Sequence, residues 1–399
     1  MSIITASYRI TTPMFLSGAD QNQAELRLPS FKGALRFWWR ALAAQRFGGD
    51  IRKIRAAEDK LFGSTKAASK IQMRLIQTDN ATTTEKGKVL RERNKPVGPG
   101  ARYFGYGVME AFASRNKGTE AGQLTRPCIN AGASFEVSLR CRNLDDDEVE
   151  YLSLALQALG LLGGLGSKSR KGYGSLMLES LMNADEQTWH MPSNSNELES
   201  AIKSLHQRNQ LTRLPDYTAL SQFSRHIIVS GNDQETGLDL LNRIGCEMVR
   251  FRSWGHNGKV LNGENAERNF KADHDLMKLE PGKRKTHPAR IAFGLPHNYG
   301  KHSDQQIPPP PKRPNDLTRR ASPLLVHIHE CDGRAFAILS FLPASFLPAG
   351  ENGRINVGGK SVPLTPHPKI WAPVDAFLDR LTTGNGREKP FAQVLEVRP

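Results

Sequence analysis

Residues 148–162 read Glu-Val-Glu-Tyr-Leu-Ser-Leu-Ala-Leu-Gln-Ala-Leu-Gly-Leu-Leu, a helical stretch that is apolar on most of its faces. A helix of this kind cannot lie on a surface with one side in water, so the fold must enclose it. Asp145, Asp146 and Asp147 stand just before it, where the helix macrodipole favours negative charge. Residues 163–174 then place five glycines in twelve positions, and a strand follows at Ser175–Leu181. The chain must therefore bury this helix, bend sharply, and return along a sheet.

The surrounding elements show which sheet. Ile3–Thr12 alternates loosely and stops at Pro13, as a strand does. Ser30 is placed to cap a helix over Phe31–Phe47, which Gly48 and Gly49 would end. Strands are expected at Ile71–Gln77 and within Ala131–Arg142, and Thr78–Gly100 reads as a polar loop. The order strand, helix, strand, strand, helix, strand is the ferredoxin-like order, shared by RNA-recognition domains.

The second half repeats the theme. A strand is expected at His226–Ser230 and a helix at Gly237–Trp254, followed by a basic insertion, Gly255–Lys285. Further strands are expected at Arg290–Gly294, Leu324–Cys331 and Arg334–Leu342, and a last helix at Val374–Leu381. The proline run from Ile307 to Pro314 cannot be a central strand. The expected class is α+β, two ferredoxin-like (RRM-like) domains in tandem with large loop insertions. Their ranges are 1–190, with the glycine-rich loop, and 191–399, with the basic insertion; the polar stretch 185–215 holds a modest amphipathic helix.

Charge narrows the function. The chain carries a formal net charge of +15, spread along its length, which suits a polyanionic partner. No apolar run reaches the length of a bilayer span, so no membrane partner is expected. Cys128, Cys141, Cys246 and Cys331 are far apart with no C-x-x-C pair, which argues for a reducing cytoplasm.

Two segments fit RNA. On the helix at Phe31–Phe47, Phe31, Ala34, Leu35, Trp38, Ala41 and Leu42 form one apolar stripe. Lys32, Arg36, Trp39, Arg40 and Arg46 fall opposite it, and the helix has no Asp or Glu. Such a row can meet successive phosphates while Trp39 stacks on a base. An ordinary solvated face is the alternative, although that usually mixes signs.

The second segment is Gly163–Gly174. Gly164 and Gly166 would let backbone amides approach phosphate oxygens, Lys168, Arg170 and Lys171 would add charge, and Tyr173 would add a ring. The alternative is a flexible turn. It is no nucleotide loop, because it leaves a helix and enters a strand. His327, His329 and Cys331 share one face of a strand, but the polar face of a sheet explains them better than a metal does. No metal, cofactor or catalytic group is expected.

These residues together resemble a known family. The runs Thr12–Ala19, Leu26–Arg40 (with Lys-Gly-Ala-Leu-Arg-Phe-Trp-Trp-Arg) and Leu61–Ser64 are similar to the RAMP superfamily of CRISPR systems. Within it they are similar to the first RAMP subunit of type III-B (Cmr) effector complexes. Arg170–Ser175 resembles the RAMP glycine-rich loop, and Ala292–Pro296 and Arg319–Leu324 resemble C-terminal signatures of that subunit. The resemblance implies a non-catalytic, RNA-binding subunit in antiviral defence. It would assemble with other Cmr subunits and hold the 3′ part of the guide RNA and/or the 5′ part of the target RNA. It also implies RNA contacts at Lys32, Arg36, Arg40, Lys168, Arg170 and Lys171. Some RAMPs cut guide RNA, so a metal-independent endonuclease is the alternative, with His226 or His256 as general base.

Overall fold

The computed structural model describes residues 2–207, 211–261, 263–297, 319–347 and 353–399. In the N-terminal half, β1 (Ser2–Ile10) leads to α1 (Leu28–Ala43) and α2 (Ile51–Phe62), then β2 (Ile71–Asp79) and α3 (Pro99–Phe104). β3 (Ser134–Cys141), α4 (Asp146–Leu162) and β4 (Leu176–Asn183) complete it. The strands lie side by side as β2-β3-β1-β4, every pair antiparallel, with a short strand Glu186–Gln187 added beyond β4.

α5 (Ser195–His206) crosses to the second half, packing on α4 and on the second sheet. There β5 (Arg225–Ser230) is followed by α6 (Gly237–Arg252) and α7 (Lys271–Lys278), then the hairpin β6 (Leu324–Cys331) and β7 (Arg334–Phe341). α8 (Ala372–Thr382) and β8 (Val394–Val397) end it. The second sheet runs β6-β7-β5-β8, again all antiparallel, so it repeats the strand arrangement of the first.

α4 is enclosed, as its composition requires. Asp145 and Glu148 form a reciprocal cap in which Asp145 accepts from the Glu148 amide at 2.7 Å. Leu152, Leu156, Leu159 and Leu162 are fully or almost fully buried, and the Tyr8 hydroxyl of β1 donates to the Leu156 carbonyl at 2.9 Å. A Cβ at Gly160 would collide with Leu178, so glycine sets how closely α4 approaches β4.

The halves are joined by side chains of each half bonding backbone groups of the other or of the linking segment. The Thr11 hydroxyl at the end of β1 donates to the Ile328 carbonyl of β6 at 2.6 Å, and the Ile328 amide donates to the Ser175 hydroxyl at 3.1 Å. His327 donates from Nδ1 to the Gly163 carbonyl at 2.7 Å, and His329 from Nε2 to the Pro192 carbonyl at 3.0 Å. Both histidines are buried, and burial pushes their pKa values down to about 3 and about 4. With Cys331 they sit at a packed seam, and no group of three or more metal-ligating side chains occurs among the described residues.

Several sequence expectations are corrected. α1 starts at Leu28, so Pro29 occupies the first turn, where its missing N–H costs nothing, and Ser30 lies inside the helix instead of capping it. The helix α2 was not expected; Asp50 caps it by accepting from the Arg52 and Lys53 amides. Residues 78–100 are not a plain loop. Thr83–Thr84 pairs with Cys128–Ile129, Arg91–Glu92 pairs with Lys95–Pro96, and α3 begins at Pro99. The strand expected at Arg290–Gly294 is a 3₁₀ turn, Ala289–Phe293, buried against α8. The strand β8 was not expected; Arg225 fixes it by pairing Glu396 at 2.9 Å and Asp379 of α8 at 2.6 Å. The proline run lies outside the described residues.

α3 docks on α6 with no side chain between them at Gly100 and Gly245, where a Cβ on either glycine would overlap the other element's backbone. Gly100→Ala should therefore destabilise by about 1–3 kcal/mol, the usual cost of overpacking. Gly33→Ala, on an open face of α1 with nothing near the added Cβ, should be neutral or stabilise by about 0.5–1 kcal/mol. Urea denaturation of the two variants checks both; equal stabilities would refute the close contact.

Candidate nucleic-acid interface

The basic row on α1 has the expected residues but only part of the expected character. Arg36 and Arg40 both bind the buried Glu58 carboxylate of α2, each at 2.5 Å. Arg36 also lies 3.7 Å from Asp59. The acids missing from α1 are thus supplied by the unexpected helix beside it. Arg46 lies beyond the end of α1, pairs Asp147 at 3.1 Å and covers the Tyr151 ring, which takes it out of the row. Lys32 is half-buried, and burial together with Arg36 lowers its pKa. Trp39 is 2 % exposed and packs edge-on against Phe62, so it is part of the core and offers no surface to a base. Trp39 faces inward because α2 folds over that side of α1.

The glycine-rich loop is a packed wedge. The Leu165 amide donates to the Gly174 carbonyl, Ser167 to Phe15, Lys171 to Lys168, and Gly174 to Pro13. Thr12 donates its hydroxyl to the Gly172 carbonyl at 2.7 Å, and the Val326 amide of β6 donates to the Arg170 carbonyl at 3.1 Å. A Cβ on Gly164 would meet the Gly174 carbonyl, and one on Gly166 (φ +83°) the Phe15 carbonyl, both at 2.5 Å. Gly164 and Gly166 thus admit the protein's own backbone. Six of the twelve amides from Gly163 to Gly174, those of Gly163, Leu165, Ser167, Lys171, Tyr173 and Gly174, are already bonded to the protein's own carbonyls. Tyr173 is fully buried and donates to the Ala101 carbonyl of α3 at 2.9 Å, so it cannot stack on a base either.

The wedge nevertheless presents charge on two sides. Arg170 lies over the Phe37 ring of α1 at 5.0 Å and donates to the Ser322 carbonyl. With Arg36, Arg40, Arg55, Glu58 and Asp59 it lines a hollow of about 550 Å³ between α1, α2 and the loop. The basic helix and the glycine loop therefore do meet there, with four guanidinium groups against two carboxylates.

On the other side Lys168 and Lys171 face a cleft of about 830 Å³ between α3, the residues after it, the end of α6 and the hairpin Lys259–Asn265. Arg102, Arg252 and Lys259 also line it, and among the described residues no Asp or Glu does. Arg102 is held by the Val97 and Ala111 carbonyls, and Arg252 by the Tyr103 hydroxyl at 2.9 Å. The Lys171 amine sits 5.9 Å from the Phe104 ring. Burial, then Arg252, Lys168 and Arg170, pull its pKa down to about 7. Burial, Arg126 and Arg319 lower that of Lys168. This cleft is the more electropositive of the two, because among the described residues no carboxylate lines it.

The sequence reading missed Arg102, Tyr106, Phe112 and Arg252 as site residues. They come from residues 101–112 and from α6, and only the docking of α3 on α6 brings them to Lys168 and Lys171. His226 is fully buried between the His206 ring at 2.9 Å and the Ser340 hydroxyl, and burial holds its pKa well below the ordinary value. It cannot reach a ribose. His256 is exposed and lines the cleft.

Two variants separate structural from binding roles. Trp39→Ala should cost about 3–5 kcal/mol in urea denaturation, as for a buried aromatic; unchanged stability would return the ring to the surface. Lys171→Met removes an amine that is charged and half-buried without a carboxylate. It should raise the melting temperature on the order of 2–4 °C at pH 6. Because the folded pKa lies below the unfolded one, the cost is complete below about 7 and fades as pH rises toward 10.5; the gain should shrink accordingly. A gain that grew with pH would contradict this.

Residues 7–177 match the family model of the RAMP superfamily. The chain is 32% identical over 180 residues to the CRISPR system Cmr subunit Cmr1-2 of Pyrococcus furiosus, an alignment covering 43% of this chain and 91% of that protein. It is 30% identical over 169 residues to Cmr1-1 of the same organism, covering 42% of this chain and 45% of that one. The crystal structure of Cmr1 from Pyrococcus furiosus in its apo form superposes with a TM-score of 0.57 at 19% identity, covering 100% of this chain and 99% of that one. The chain thus belongs to the RAMP superfamily, as a relative of the first RAMP subunit of type III-B (Cmr) CRISPR systems.

Proposed function

We propose that this chain is a non-catalytic RNA-binding subunit of a type III-B CRISPR effector complex. It is built from two ferredoxin-like domains in tandem and works with other Cmr subunits in cytoplasmic antiviral defence. It holds the 3′ part of the guide RNA and/or the 5′ part of the target RNA. The repeated strand arrangement of the two sheets supports the tandem reading. The relatives named as Cmr subunits support the assembly.

The observation that carries the RNA reading is the cleft at Lys168 and Lys171. Among the described residues five Lys or Arg side chains line it and no carboxylate does. Depressed amine pKa values there mean that the folded chain holds this charge at a cost, which a phosphate would relieve. The α1 row is a secondary contact, because Glu58 already answers Arg36 and Arg40.

Filter binding of single-stranded RNA at several salt concentrations tests this. Lys168→Ala with Lys171→Met should weaken binding across sequences and reduce the log–log salt slope by about 0.7 per lost phosphate contact. Lys32→Ala with Arg36→Ala should have the smaller effect. Unchanged affinity and slope in the first variant would reject the site. Labelled CRISPR RNA incubated with the chain in EDTA should stay intact; defined cuts lost in His256→Ala would make the chain an endonuclease.

A further inference from the structure

The cationic cleft also carries large rings at its mouth. Tyr106 is 71 % exposed and Phe112 79 %, the two most exposed large hydrophobic side chains among the described residues. Both line the same cleft as Lys168 and Lys171. Gly107 (φ +90°) turns the chain directly after Tyr106, and a Cβ there would stand 3.9 Å from the Lys168 amine, which places that amine beside the Tyr106 turn. One concavity thus combines exposed rings and amines, with no acid among the described residues that line it. Its volume of about 830 Å³ falls in the range of small-molecule sites, roughly 300–1,000 Å³.

Resting on the RNA reading above, we infer that this cleft is a nucleobase pocket. Unstacked bases of a single-stranded RNA lie against Tyr106 and Phe112 while the adjoining phosphates take Lys168 and Lys171. Aromatic rings stack on any base, since every base has a π-face, and amines track the backbone; together they make the usual recognition surface for single strands. An apolar peptide would use the rings but would leave the amines unanswered, so the charge favours the nucleotide. The stacking responds to the presence of a base and leaves its identity unread.

The test compares the full chain with Tyr106→Ala/Phe112→Ala on two RNAs of equal length, one normal and one with abasic ribose–phosphate units. Both side chains are exposed, so the double variant should melt with the wild type; Tyr106→Phe with Phe112→Tyr serves as the conservative rescue. The wild type should bind normal RNA about tenfold or more tighter than abasic RNA. The double variant should lose that preference with its salt slope unchanged, and the conservative variant should keep it.

If the wild type binds RNA but the double variant keeps the preference, the pocket is overturned while RNA binding stands. If the double variant loses co-purifying Cmr subunits and keeps RNA affinity, the rings dock a protein and the inference is overturned. If the wild type binds neither RNA in any salt, the RNA reading fails, and the pocket with it.

Discussion

The structure depends on a seam at which glycines let backbone approach backbone and small hydroxyls and buried histidines bond the carbonyls between the halves. Residues 163–174 leave the buried helix, bond along the end of the first strand at Pro13 and Phe15, and lie beside Val326 of the second sheet. A methyl group at Gly164, Gly166, Gly172 or Gly174 would meet neighbouring atoms at or inside van der Waals contact. Glycine is required because two sheets, a helix and a loop converge within hydrogen-bond distance. The buried histidines at this seam stay neutral; each donates one ring N–H to a carbonyl, while His327 Nε2 and His329 Nδ1 are buried without a partner.

That seam decides where charge can act. The loop holds Arg170 on one side, against an aromatic ring and near two carboxylates. It holds Lys168 and Lys171 on the other, among cations only. Burying an amine without a counter-charge costs free energy, and a chain selected only for stability would place methionine or leucine at Lys171. The pairing of Arg36 and Arg40 with Glu58 shows the contrary case in the same molecule. There the charge is answered internally, and the guanidinium groups fix one helix against another.

The four main strands of the first sheet with the helices α1 and α4, the acidic cap of that enclosed helix, and the cationic residues of the glycine segment were legible in the sequence, because they rest on local periodicity, capping and composition; α2, α3 and β8 were not. The side on which Trp39 points was not. Its helix has apolar residues on more than one face, and a second helix, capped by Asp50, covers the one that periodicity assigns to solvent. The roles of Gly164, Gly166 and Tyr173 were misjudged for a related reason. A glycine-rich string shows that something comes close, and only the tertiary structure shows that the neighbour is the protein's own backbone.

By itself the sequence determined that this chain carries unneutralised cations next to a side-chain-poor bend between a buried helix and a strand. Tertiary structure decided how they are answered, because Glu58 reaches Arg36 and Arg40 from another helix while, among the described residues, no carboxylate lines the cleft at Lys168 and Lys171. It also decided that Tyr106 and Phe112 stand beside those amines. They are brought there by the packing of Gly100 against Gly245, a contact between residues 145 positions apart in the chain that no local pattern encodes.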